Sequence, residues 1–489
     1  MKKTTVLLRS FLFCLLLFII VQRVNTIQQI KGIESGSYNP RSQYAGFYEM
    51  KKNTVDVLFL GSSHCYCAFS PQEFYDSCGI RSYNLGSSQQ SVWLSYYWLK
   101  EALRYQKPSV VVLETFFITT NDGTGGDEPS VRKALDYMRP SPVKAEAALA
   151  LSRLSEDVKA ESFLLTNQRF HARRSDLTFM DFESKTFSRM EDAKGYCALG
   201  NGSNAEEFTP LSETASEDLT SAELSLYPAT EEYLEKIRDL CAKNEITLLF
   251  VKTPTTHWSA AEHGQVDAFA RANNIPFIDY NTESNYDLLG YSFTQDSYDY
   301  GHPNIHGSKK IASALGTVLR QYAKNTDLQD AQWENSRPAM NQIMANASLT
   351  WQDEPAPYLQ TLQEEGYTVF MTAGENSILS TDSKTADLLR SLFALPHLEA
   401  EDYFCALVEN GKTSPAHAPG ACTLEGAADQ GRLSWCLSGA NGIRSVLINQ
   451  TEYSPGISGM VIVVYDPLSK EVVDTVTLYA DGTLVRDKA

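Results

Sequence analysis

Short, nearly unbroken apolar runs alternate with helix-period segments through the first two-thirds of the chain. This alternation constrains the fold more than any other feature. Residues 55–60 (VDVLFL), 109–113 (SVVVL) and 246–251 (ITLLFV) are too short for helices and rich in branched side chains. Shorter runs of the same kind lie at 82–85 (SYNL) and 275–278 (IPFI). Between them, 91–105, 230–243, 260–273 and 307–323 carry apolar residues at helical spacing. Strands buried on both faces and separated by helices predict a parallel sheet covered by helices on either side. The rhythm breaks from Thr115 to about Leu226, a polar and mostly helical stretch opened by the Gly-rich turn 121–126, read as an insertion or cap.

The tail has another texture. Residues 367–372, 402–409, 444–448, 459–465 and 472–479 read as strands, with a turn at 466–469 that makes the last two a hairpin. One helix is predicted there, 382–393, with Asp382 as its N-cap. The expected division is a membrane segment 1–24, a linker 25–53, an α/β domain 54–324 with an insertion at about 116–226, a linker 325–354, and a smaller β-rich domain 355–489.

Lys2 and Lys3 precede an apolar run from Phe11 to Val21. No small-residue cleavage site follows, so an uncleaved signal anchor is favoured over a cleaved signal peptide. The basic end stays inside, which places the bulk of the chain outside the cytoplasm. That exported part holds 38 basic against 60 acidic residues, hence −22. Such a charge argues against a nucleic-acid partner. Of nine cysteines, none forms a C-x-x-C pair or a zinc-type cluster, and no metal or cofactor is expected. Disulfides suit an exported protein; Cys422 with Cys436 or Cys405 is the only pairing suggested.

The chemistry gathers at two places. The first strand runs straight into Gly61-Ser62-Ser63-His64, which exposes a serine at the carboxyl edge of the sheet, where ligands of open α/β folds sit. Before the last helix stands Asp299-Tyr300-Gly301-His302-Pro303-Asn304. An Asp three residues before a His can fix its tautomer and so make it a base toward a serine. The order GxS, Asn84-Leu85-Gly86, DxxHxN resembles the SGNH (GDSL-type) hydrolase superfamily, over about residues 55–323. The resemblance implies a three-layer α/β/α, flavodoxin-like domain. It implies Ser63 as nucleophile, His302 as base and Asp299 as its partner, with Ser63 and Gly86 amides as oxyanion donors. The family's third block, G-x-N-D, is absent: the third strand runs into Leu113-Glu114-Thr115-Phe116, and Asn121-Asp122 lies too far along. Gln89 or Gln90 is a substitute donor. His64 and Glu114 are further candidates for a direct role, and His306 for a supporting one. His257, Trp258, His171, Arg173 and Arg174 are candidates for substrate contact.

The GSSH variant without that Asn resembles, more loosely, membrane-anchored SGNH-like proteins of bacterial cell-surface polysaccharide O-acylation. The resemblance implies an esterase or O-acyltransferase acting on O-acyl, and there O-acetyl, groups of cell-envelope carbohydrate. Its implied partners are an acylated glycan, the cytoplasmic membrane through the anchor, and a membrane-bound O-acyltransferase. The tail is similar to the ILEI/PANDER-type β domain in permuted order, which implies glycan binding. A catalytically degenerate SGNH-like protein that binds glycan or assists a membrane acyltransferase is the alternative that the missing Asn leaves open.

Overall fold

A computed structural model describes residues 2–28, 38–119, 126–154, 158–164, 192–202, 208–324, 330–364, 366–431, 433–456 and 458–486. The chain divides into two compact units, Met1–Met340 and Asn341–Ala489.

In the first unit, β1 (Val57–Leu60), β2 (Ser82–Asn84), β3 (Val110–Glu114), β4 (Thr247–Lys252) and β5 (Phe277–Asp279) form one sheet. Their order is β2-β1-β3-β4-β5 and every pairing is parallel. Side chains alternate between two cores, as a pleated strand requires. Leu58, Leu60, Val111, Leu113, Leu248 and Phe250 enter one core with the helices Val92–Ala102 and Pro228–Lys243. Val57, Phe59, Val110, Val112, Leu249 and Val251 enter the other with the helices Pro71–Cys78 and Ile305–Leu319. The fold is therefore α/β with helices on both faces, as the alternating runs predict.

Three expectations for this unit need correcting or extending. Residues 25–53 are not simply a linker. The helix Pro40–Glu49 is capped by Asn39, whose Oδ1 accepts the Ser42 N–H, and it buries Tyr44 and Phe47 completely. Tyr44, Phe47 and Tyr48 stand at helical spacing, so a segment polar on average still presents an aromatic stripe; Tyr44 stacks on Trp98 at 4.1 Å. The stretch after β3, read as an insertion or cap, also contributes to the domain core. Helix Pro142–Leu154 puts Val143, Ala147, Ala148 and Leu151 into the sheet core. Residues 325–354 likewise include a helix, Ala331–Leu349, with Trp333 fully buried in the first unit's core.

Helix Lys2–Gln28 contains Thr4–Val24, a stretch long and apolar enough to cross a membrane.

In the second unit all strand pairings are antiparallel. β6 (Thr368–Ala373), β7 (Asp402–Glu409), β8 (Lys412–Pro419), β13 (Met460–Asp466), β14 (Glu471–Leu478) and β15 (Leu484–Arg486) form a sheet ordered β15-β14-β13-β6-β7-β8. β9 (Ala421–Ala428), β10 (Leu433–Ala440), β11 (Ile443–Ile448) and β12 (Thr451–Gly456) form a second sheet. Val461, Val463 and Tyr465 of β13 share a core with Leu437 and Val446 of the second sheet. Met460, Ile462 and Val464 meet the helices Pro355–Glu364 and Lys384–Phe393 on the opposite face. Ser383, not Asp382, caps the latter helix, accepting the Ala386 N–H. None of the nine cysteines is in a disulfide, so the suggested Cys422 bridge is absent; Cys405 and Cys422 are neighbours in one apolar core.

Glu471 in β14 leaves its Oε1 buried without a partner. Burial first, then the Asp466 carboxylate, push this carboxyl up to about 7. The folded state therefore holds the Glu471 proton more tightly than the unfolded chain does. The stability this contributes is complete below about pH 4.3 and is lost as pH rises through about 7. Urea unfolding should show a loss of about 3–4 kcal/mol between pH 4 and pH 8 that Glu471→Gln abolishes. Equal pH slopes in both proteins would refute the assignment.

Candidate active site

β1 ends at Gly61, whose φ is +146°. A Cβ there would lie 2.8 Å from Glu114 Cβ and 3.0 Å from Cys65 Cβ, so only glycine fits. The chain then turns into the helix Ser63–Ala68, whose N-cap Ser62 accepts the His64 N–H through Oγ. The half-buried Ser63 thus stands at the carboxyl edge of the sheet. On the other side of the site, Asn304 caps Ile305–Leu319, with Oδ1 accepting the His306 and Gly307 N–H groups. Asn304 Nδ2 also donates to Gln295 O and Ser297 O, which ties the helix start to the segment that leads into the loop 299–303.

The two places meet. Ser63 Oγ lies 2.8 Å from His302 Nε2. His302 Nδ1 lies 2.8 Å from both carboxylate oxygens of Asp299. Asp299 Oδ1 also accepts the Gly301 and His302 N–H groups, each at 2.9 Å. Burial works to raise the Asp299 carboxyl, but the His302 hydrogen bond and charge and the two amides outweigh it and hold the pKa below the usual range. An ionised carboxylate only accepts, so the His302 proton sits on Nδ1 and Nε2 is free to accept from the serine. A hydroxyl, an imidazole and a carboxylate in this sequence of contacts can transfer a proton from Oγ as it attacks an acyl carbon.

The oxyanion side differs from expectation. The Gly86 N–H is donated to Asn84 Oδ1 at 3.0 Å. Asn84 also donates to Cys65 O and Phe69 O, which ties β2 to the serine-bearing helix. Gln43 donates to Asn84 O and Gly86 O from outside. Gln90 has both ends of its amide engaged, accepting from Ser87 Oγ and donating to Ser95 Oγ. Gln89 accepts from Ser130 Oγ.

His64 is buried, stacked on Phe116 with 3.9 Å between ring centroids and 5.1 Å from the His302 ring. Burial, then the Lys252, His302 and His257 charges, hold its pKa well below the ordinary histidine value. Glu114 forms an ion pair of 3.0 Å with Lys252, both side chains fully buried. It also accepts the Phe116 N–H through Oε2. His306 is exposed in the first turn of its helix. His257 is exposed and packs edge-on against Tyr300 at 4.4 Å. Trp258 is buried and donates to Asp279 Oδ2, so it is a core residue and not a substrate contact. Asn121, Asp122, His171, Arg173 and Arg174 lie outside the described residues. Among the described residues no group of three or more His, Cys, Asp or Glu could hold a metal ion.

Sequence reasoning passed over Asn84 as a site residue, and Gln43 and Lys252 altogether. Lys252 carried a signal: a charged residue directly continuing the apolar run ITLLFV.

No family model matches the chain, and no curated protein matches it. Several solved structures align with part of it, among them the following three. An inferred acylhydrolase from Bacteroides fragilis is 12% identical, with 59% of this chain and 99% of that one covered and a TM-score of 0.28. A GDSL-like lipase from Bacteroides thetaiotaomicron is 12% identical, with 57% and 98% covered and a TM-score of 0.28. An inferred GDSL-like lipase from Parabacteroides merdae is 12% identical, with 55% and 98% covered and a TM-score of 0.26. At these scores the likeness carries no argument about this chain's fold or activity, which rest on its own geometry.

Proposed function

We propose that the first unit is a serine esterase or O-acyltransferase of the SGNH type that works through an acyl-serine. The observation that carries this reading is the unbroken contact path from Ser63 Oγ through His302 to Asp299. Ser63 Oγ attacks the acyl carbon, His302 Nε2 takes the hydroxyl proton, and Asp299 steadies the imidazolium. The C–O bond to the leaving alcohol breaks as His302 returns the proton to it. Water or a sugar hydroxyl, deprotonated by His302, then releases the acyl group. The substrate in this reading is O-acyl, chiefly O-acetyl, carbohydrate of the cell envelope. The chain is held at the membrane by its N-terminal helix, with a membrane-bound acyltransferase as a further partner and the second unit as a glycan-binding module. Support for these finer parts is the Lys-headed apolar segment, the acidic remainder and the sequence resemblance.

A fluorophosphonate probe tests the chemistry. The folded parent should be labelled on Ser63, and Ser63→Ala should lose all labelling. A folded parent that takes no label would favour a glycan-binding protein without turnover, the reading to which the engaged Gly86 N–H gives weight.

A further inference from the structure

The buried lysine at the end of β4 has no part in the chemistry so far. Lys252 Nζ has three N–H donors and three acceptors within reach: Glu114 Oε1 at 3.0 Å, Thr253 O at 3.0 Å and His64 Nδ1 at 3.5 Å. A lysine donor facing Nδ1 requires a lone pair there, which leaves the ring proton of a neutral His64 on Nε2. The ring is packed on two sides. Phe116 is stacked on one face, and Lys252 Nζ stands 5.0 Å from the Phe116 centroid. The Cε1–Nε2 edge faces the loop of Asp299 and His302: a Cβ on Gly301 would lie 2.7 Å from Cε1 and 3.1 Å from Nε2. His64 is also the residue next to Ser63, and its ring centroid lies 5.1 Å from that of the base His302.

We propose that Lys252, itself anchored by Glu114, holds His64 as the Nε2–H tautomer, and that this N–H is a donor to the acyl carbonyl oxygen during attack by Ser63. The inference rests on the acyl-serine reading. It adds a donor beside the Ser63 amide, where the Gly86 amide is engaged and β3 ends on Glu114 instead of an amide side chain. His64 is then a catalytic residue and Lys252 a positioning residue. Carbonyl polarisation by a neutral imidazole consumes no proton: Nε2–H donates as the oxyanion forms and keeps its hydrogen when the carbonyl is restored.

Two measurements on the full chain test this. The first is the ring nitrogen and carbon NMR signature of His64 at pH 7, in the parent and in Lys252→Met paired with Glu114→Leu. The Nε2–H tautomer is expected in the parent, and a tautomer mixture in the paired variant. An Nδ1–H tautomer or an imidazolium in the parent would overturn the proposal. The second is p-nitrophenyl acetate turnover. His64→Phe, which keeps the stacked ring, should lower kcat by about 10²–10³-fold with KM changed less than about threefold. His64→Gln, which restores an N–H, should regain at least about tenfold of that loss. Equal kcat in His64→Phe and parent, or no regain with Gln, would refute it. Fluorophosphonate labelling of Ser63 in the parent is read alongside. If the parent does not label, the acyl-serine reading has failed; if it labels but His64→Phe turns over normally, only the His64 role has failed.

Discussion

Asp299→Asn lowers kcat for ester cleavage by about 10⁴-fold and leaves the fold in place. The asparagine Oδ1 still accepts the Gly301 and His302 amides, the contacts that shape the loop in the parent. Its NH₂ cannot accept from Nδ1. Where that group faces the ring, Nδ1 must carry the lone pair and the ring proton moves to Nε2, so the ring presents a donor to Ser63 Oγ instead of a base. Steady-state kinetics with an activated acetyl ester, beside circular dichroism spectra that superimpose on the parent's, check both halves. Activity within threefold of the parent would contradict the placement of Asp299.

Breaking the Glu114–Lys252 pair has the largest effect expected on stability. Both side chains are fully buried and 3.0 Å apart. Lys252→Met strands the Glu114 carboxylate in the protein interior with the Phe116 N–H as its remaining donor among the described residues. Removing one partner of a buried pair costs about 3–5 kcal/mol, whereas replacing both by apolar residues of similar size is often neutral. Urea unfolding should therefore show Lys252→Met strongly destabilised and the Lys252→Met, Glu114→Leu double variant restored close to the parent. A single variant within about 1 kcal/mol of the parent would mean that water reaches the pair.

The architecture was legible where the chain is buried on both faces. The runs at 55–60, 109–113 and 246–251 became β1, β3 and β4 because nothing but a central strand can bury a short run so completely. The Gly61–His64 and Asp299–His302 segments were legible for a different reason: a serine at a strand end and an Asp-x-x-His before a helix are local patterns. What joins them across 239 residues is the topology. Helices whose buried faces are rich in polar residues escaped notice. Pro40–Glu49 carries Arg41, Gln43 and Glu49 among its aromatics, and its composition reads as a linker. In the second unit β8 and β9 have mostly exposed or half-exposed side chains such as Lys412, Glu425 and Thr413, so no apolar run announced them. The donor groups around Ser63 were the least legible part. Whether an amide such as Gly86 N–H is available depends on its hydrogen-bond partner, and that partner, the Asn84 side chain, is fixed by tertiary packing against Cys65 and Phe69.

Trapping the covalent intermediate tests the central claim most directly. The full chain is mixed with p-nitrophenyl acetate, quenched in acid within the first turnovers, digested and mapped by mass spectrometry. An acetyl group is predicted on the Ser63 hydroxyl, absent from Ser63→Ala and removed from the parent on prolonged incubation in water. Acetyl groups found only on lysine or cysteine side chains, or ester cleavage undiminished in Ser63→Ala, would contradict the account.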